Sequence, residues 1–132
     1  MSDKQLGEGL ELGIQYKKRG GLVPTIAQDY NNGEILMLGY VNQQALDETI
    51  RTGYATFWST SRDELWTKGK TSGDFLKIKE ILIDCDQDAL VYRVESLGSG
   101  ACHTKNKDDE TRRSCFYRRL RDGRLEFIDG MQ

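Results

Sequence analysis

What this chain has little of narrows its function before any motif is considered. It has almost no net charge: 19 basic side chains stand against 21 acidic ones, a formal balance of -2. Without a surplus of positive charge, general attraction to nucleic acid or to an anionic membrane is not expected. No apolar run approaches the length of a membrane span. The opening MSDKQLGEGLELG lacks the basic-then-apolar order of a signal peptide, so a cytoplasmic protein is the expectation. Cysteine is scarce and odd in number, three in all, which does not read as a disulfide framework. There is one histidine. No repeat, low-complexity tract or linker divides the 132 residues, a length that fits one domain.

What is present is a succession of short β-forming stretches around one helix. A polar arm is expected over residues 1–19 and the domain proper over 20–132. VPTIAQDY (23–30) and EILMLGYV (34–41) flank NNG, and Asn-Gly between two apolar runs predicts a hairpin. Asn42 is a good N-cap, Leu46 and Ile50 share a face, and Gly53 stands where a C-terminal glycine belongs; together they predict a helix. YATFWST (54–60) returns to strand, SRDE turns, and LWTKGKTSGDF (65–75) reads as a half-ordered loop. Strands are expected over 75–84 and 89–97, and a last hairpin over 115–120 and 124–128 around RDG. The expected fold class is α+β, a β-rich single domain with one main helix.

DCDQD (84–88) is the densest chemistry in the chain. On a strand, alternation projects Asp84, Asp86 and Asp88 to one face and Cys85 to the other. Three stacked carboxylates repel one another and call for something positive. A hard divalent cation such as magnesium suits them, while Cys85 is left for a softer metal. A solvated acidic turn is the plainer alternative. Asp84, Asp86, Asp88 and Glu95 also fall at the first, third, fifth and twelfth places of a calcium-loop pattern. Ala89 stands where that loop needs glycine, and the flanks read as strands, which argues against it.

Cys102 lies in GSGACHT and Cys115 in RRSCFY, without the short Cys-x-x-Cys spacing that makes a zinc site legible. Each cysteine taken singly reads as a small buried hydrophobe. Taken together, three protein ligands with a fourth position left for water are the pattern of a catalytic zinc, which lowers the pKa of its water to about 7. His103 follows a candidate ligand in a glycine-rich segment, which favours proton transfer over a core role. Adjacent side chains of an extended segment face apart, so Cys102 and His103 do not easily share one metal. In WTKGKTSGD (66–74), backbone N–H groups, Lys68, Lys70 and the Thr71 and Ser72 hydroxyls make a plausible phosphate cradle. The spacing is not that of a P-loop, and a solvated turn is the alternative. Arg112–Arg113 and Arg118–Arg119–Arg121 lack the interleaved aromatic platform of a nucleic-acid surface.

In their order, LWTKGKTSGDF, DCDQDAL, GACHT and SCFYR resemble the phosphoribosyl-AMP cyclohydrolase family of histidine biosynthesis. Residues 21–62 are similar to that family's N-terminal half, and the resemblance covers roughly residues 20–120. It implies hydrolytic opening of the adenine ring of 1-(5-phosphoribosyl)-AMP between N1 and C6, giving the formimino-carboxamide ribotide. It implies an intertwined homodimer with zinc sites shared between subunits. Carried over by position, Cys85, Cys102 and Cys115 correspond to the zinc ligands, Cys85 coming from the other subunit. Asp84, Asp86 and Asp88 correspond to magnesium ligands. Trp66, Lys68, Gly69, Thr71, Ser72 and Gly73 match the substrate loop, and His103 matches a histidine to which a catalytic role is attributed. The implied partner is a small nucleotide, with neither nucleic acid nor membrane.

One stretch departs from the family. TKNKDDETRR (104–113) is longer and more charged than the short glycine-containing turn usual there, an insertion tolerable because closure entropy rises slowly with length. Some relatives carry a fused pyrophosphohydrolase domain; here a separate protein is expected to supply that step. Two other readings are a non-catalytic metal-binding β module and a nucleobase deaminase, whose H-x-E and P-C-x-x-C signature is missing.

Overall fold

The computed structural model describes residues 1–132. Asp29 starts the first hairpin. Its carboxylate accepts the backbone N–H groups of Asn31 and Asn32 at 2.8 and 3.1 Å, and Gly33 supplies a left-handed φ of 78°. Strand β1 (Val23–Asp29) then folds back antiparallel onto β2 (Ile35–Val41), as the Asn-Gly signal predicts. Helix α2 (Gln43–Thr52) follows. Asn42 Oδ1 caps the N–H of Ala45 at 2.8 Å, and Gly53 closes the helix in the left-handed region.

The buried face of α2 is Ala45, Leu46 and Thr49, whereas Ile50 is 63 % exposed. Leu46 and Ile50 therefore do not share the core face. With about 100° of rotation per residue, that face centres near Thr49 and Ile50 falls at its margin.

β3 (Thr56–Ser59) and β4 (Glu64–Thr67) form a second hairpin, with Phe57 opposite Trp66. The expected loop over 65–75 is thus ordered at its start, since cross-strand pairing holds residues up to Thr67. Long strands β5 (Leu76–Ile83) and β6 (Leu90–Ser96) complete a four-stranded sheet in the order β2-β1-β6-β5. β6 lies parallel to β1, and the other neighbours are antiparallel. A short hairpin, β7 (Arg118–Arg121) and β8 (Arg124–Phe127), stands near the C-terminus. Cys115 precedes it instead of opening its first strand.

Alternation along β1 and β6 buries Val23, Thr25 and Ala27, and Leu90, Tyr92 and Val94, on the face that α2 and Phe57 cover. Thr49 ties these layers: its hydroxyl lies 2.8 Å from Ala45 O, 3.0 Å from Thr56 N and 3.3 Å from the Tyr92 hydroxyl. On the opposite face, the register sets Leu38, Ile26, Val91 and Leu82 in one row across all four strands. Leu38 and Leu82 are exposed there, and the row lines an apolar hollow with Pro24. The molecule is a small α+β domain, mostly sheet. None of its helices is long and apolar enough to cross a membrane.

Candidate metal centres and substrate cleft

The acidic cluster is a turn and not a strand. β5 ends at Ile83 and β6 begins at Leu90, so side-chain alternation does not act across residues 84–88. The carboxylates converge by another route. Asp84 Oδ1 accepts the N–H groups of Asp88 and Ala89 at 2.9 and 3.1 Å, and Gln87 takes a left-handed φ of 57°. One oxygen from each of Asp84, Asp86 and Asp88 then falls within 4.8 Å of the others.

The positive charge that this cluster demands comes from a distant segment. After the short helix α1 (Asp3–Glu8), the arm runs past the turn into a 3-10 segment, Lys17–Arg19. Lys18 Nζ lies 2.9 Å from both Asp86 Oδ2 and Asp88 Oδ2, and Arg19 Nη2 lies 2.7 Å from Asp88. Lys18, then Asp86, holds the Asp88 carboxyl far below the usual carboxylate range, while burial pushes Asp84 upward. Lys18 is raised by its bonds to the two aspartates. An all-oxygen set at this spacing fits a hard divalent cation such as magnesium. Lys18 and Arg19 escaped sequence reasoning, because their partners are nearly seventy residues away along the chain.

Gln87 locks the arm to the same turn. Its Oε1 accepts Gly13 N–H at 2.7 Å, and its Nε2 donates to the carbonyls of Leu6 and Glu11 at 3.1 and 3.2 Å. Cys85 sits on the outer side of the turn, exposed, in a groove shared with Leu6, Gly7 and Leu10 of the arm.

The other two cysteines are neighbours. Gly100 lets the chain approach Arg112 closely, and Ala101 N and Cys102 N donate to the carbonyls of Arg113 and Arg112 at 3.0 and 3.2 Å. Cys115 N donates to Leu36 O at 2.7 Å, and Ser114 Oγ donates to Ile35 O at 2.6 Å, fixing that segment on β2. Partial burial, then Cys102, pushes the Cys115 thiol up to about 12, while the Lys68 ammonium acts in the opposite sense. Cys85 does not join them, because the aspartate turn is the only place where three such ligand groups gather. The two thiols are soft donors suited in kind to zinc, and they fall short of its usual number within one chain.

The predicted substrate residues are divided between a cleft and a loop. His103 is exposed, next to buried Cys102 in a segment outside the strands, and lines a cleft with Trp66, Ser59, Ser61, Arg62 and Glu64. The last four were not singled out from sequence, where SRDE reads only as a turn. Beyond β4 the loop tightens: Lys68 N donates to Ala55 O, and Gly73 N to Gly69 O at 2.7 Å. Lys68 is 7 % exposed, whereas Thr71 and Ser72 are open to solvent. Gly69 has a φ of 95°, and any Cβ there would run into the backbone of Phe75.

A small β-rich domain with paired thiols, an acidic turn and an open cleft offers the kinds of donor group that a metal-dependent hydrolase uses. The sequence model of the family "Phosphoribosyl-AMP cyclohydrolase" matches residues 37–117. The chain belongs to that family, whose members are hydrolases acting on the C–N bond of a cyclic amidine. A phosphoribosyl-AMP cyclohydrolase of Clostridium botulinum (strain ATCC 19397 / Type A) is 54% identical over 107 residues, 81% of this chain and 91% of its own length. One from Methanothrix thermoacetophila is 54% identical over 106 residues, 80% of this chain and 81% of its own. Another, from Desulfatibacillum aliphaticivorans, is 45% identical over 115 residues, 87% of each chain.

Proposed function

We propose that this chain opens the adenine ring of 1-(5-phosphoribosyl)-AMP in histidine biosynthesis, adding water at C6 and breaking the C6–N1 bond. The observation that carries the reading is the pairing of Cys102 with Cys115 beside the His103 and Trp66 cleft, in a member of this family. A zinc ion held by Cys102, Cys115 and the partner's Cys85 would lower the pKa of a water to about 7, supplying the nucleophile at neutral pH. His103 moves the proton that N1 needs as its bond to C6 breaks. The half-open Trp66 ring offers a stacking face for the base. The Thr71 and Ser72 hydroxyls, the Gly69 and Gly73 turn and Lys68 receive phosphate. Asp84, Asp86 and Asp88 hold magnesium, which balances phosphate charge.

Two features support a homodimer with shared zinc sites. The thiol pair lacks a third ligand, and the row Leu38, Ile26, Val91 and Leu82 leaves an apolar sheet face uncovered. Such a face favours burial against a second subunit. The ordinary place for a biosynthetic enzyme of this kind is the cytoplasm.

The test is an absorbance assay on purified protein with 1-(5-phosphoribosyl)-AMP and magnesium, before and after zinc is stripped. Turnover lost on stripping and restored by zinc is the expected result. A folded, zinc-loaded protein that leaves the substrate spectrum unchanged would overturn it.

A further inference from the structure

The charged segment, residues 104–113, is not a free surface loop. Asn106 organises it: Oδ1 accepts the N–H groups of Asp108 and Glu110, both at 2.9 Å, and Asn106 N donates to Glu110 O at 2.8 Å. A bridge between Lys105 and Thr111 closes the segment into a small hairpin. Its end, Arg112, is held from several sides. Nε donates to Met131 O at 2.8 Å, and the guanidinium lies 4.1 Å from the centre of the Tyr117 ring and 5.6 Å from that of Phe127. Arg112 N donates to Thr104 O at 3.2 Å, and Arg112 O receives the N–H of Cys102.

From that anchored position Arg112 Nη1 donates to Thr104 Oγ1 at 3.0 Å, and Oγ1 lies 2.9 Å from Cys102 Sγ. A guanidinium has donors only, so Thr104 Oγ1 accepts from it, and toward a metal-bound thiolate, which has no proton of its own, the hydroxyl proton is the one that points to the sulfur. Thr104 N–H also donates to Sγ, at 3.4 Å. As a thiolate the Cys102 sulfur therefore receives two hydrogen bonds from Thr104, one of them backed by a fixed cation.

We propose that Thr104 and Arg112 are positioning residues for Cys102 as a metal ligand, the charged hairpin serving to deliver Arg112 to that role. The relay rests on the zinc reading given above. It aims the sulfur and offsets part of the negative charge that a multi-thiolate site gathers, and supports of this kind typically govern how firmly a metal is held. No other side chain of the segment hydrogen-bonds Cys102.

The experiment is zinc competition. Wild type, Thr104→Val, Thr104→Ser and Arg112→Lys are loaded with zinc, and transfer to a chromogenic chelator gives each affinity. The cobalt-substituted forms are compared through their thiolate-to-cobalt absorption, and the metal-free forms by thermal melting. Thr104→Val is expected to lose roughly 10- to 100-fold in zinc affinity and to shift the cobalt band. Thr104→Ser, which keeps the hydroxyl, should restore both. Arg112→Lys keeps the charge without the fork and should weaken zinc even if Thr104→Val fails to fold.

Equal zinc affinity in wild type and Thr104→Val would overturn the proposal and leave the zinc reading intact. So would a change confined to the melting temperature. A folded wild type that takes up no zinc would sink the zinc reading itself, and the relay with it.

Discussion

Gln87 shows how much one side chain can hold at the scale of the residue. It is 6 % exposed and satisfies one N–H and two carbonyls of the arm from a left-handed backbone position. Gln87→Ala leaves those groups without their partner. It is expected to cost about 1–3 kcal/mol, read from the melting curve. The specific sign is faster hydrogen exchange over residues 6–15. The two loop glycines separate two causes of intolerance. Gly73 has a φ of 83° but open space around it, so Gly73→Ala carries only the left-handed cost of about 1–2 kcal/mol. Gly69→Ala adds a collision with the Phe75 backbone and should abolish turnover by deforming the loop. Sequence alone marked both glycines by resemblance, yet the collision was invisible because it depends on how the chain returns at Phe75. Lys18 and Arg19 were missed for the same reason, as their meaning lies in a turn folded from far along the chain.

Among the elements, legibility followed locality. The β1–β2 hairpin and helix α2 were readable because their signals, Asn-Gly and the Asn42 and Gly53 caps, act within a few residues. Asn42→Ala should cost about 1 kcal/mol. The parallel pairing of β1 with β6 had no such signal, since it joins Thr25 to Leu90 and their neighbours. The DCDQD segment misled in an instructive way. Alternation predicts convergence on one face, and the carboxylates do converge, but through Asp84 capping the backbone of a turn. Ile50 failed because helical spacing locates an apolar stripe without fixing where its centre meets the core. Thr49, a poor candidate by hydropathy, is the true junction of α2 with β3 and β6. Replacing it with isosteric valine strands the Thr56 N–H and leaves the Tyr92 hydroxyl only its long bond to Thr56 O. The expected loss is about 1–3 kcal/mol in denaturant unfolding, with activity retained in whatever remains folded.

The proposed sharing of zinc between subunits yields a test for the whole molecule. If Cys85 of one subunit completes the site of the other, Cys85→Ala and Cys102→Ala dimers are each inactive. A mixed dimer contains one intact site and one lacking two ligands. Unfolding and refolding an equal mixture should recover about a quarter of wild-type activity, since about half the dimers are mixed and each has half its sites. A mixture as inactive as its parents would exclude sharing. The motifs mark the candidate residues of this site, whereas the separation of Cys85 from the other two cysteines within one chain needed the fold.

The strand order carries a consequence for how the chain is made. β1, β2 and α2 are complete by Thr52, but the strand that must lie between β1 and β5 is not synthesised until residues 90–96. Until then the free edge of β1 presents unpaired backbone groups beside the apolar side chains of Val23, Ile26 and Ala27. A nascent chain paused before residue 90 is therefore an aggregation hazard, and the ribosome's pace through that stretch bears on yield. Truncation at residue 60 should give an insoluble fragment, even though it contains the hairpin and helix that are easiest to recognise.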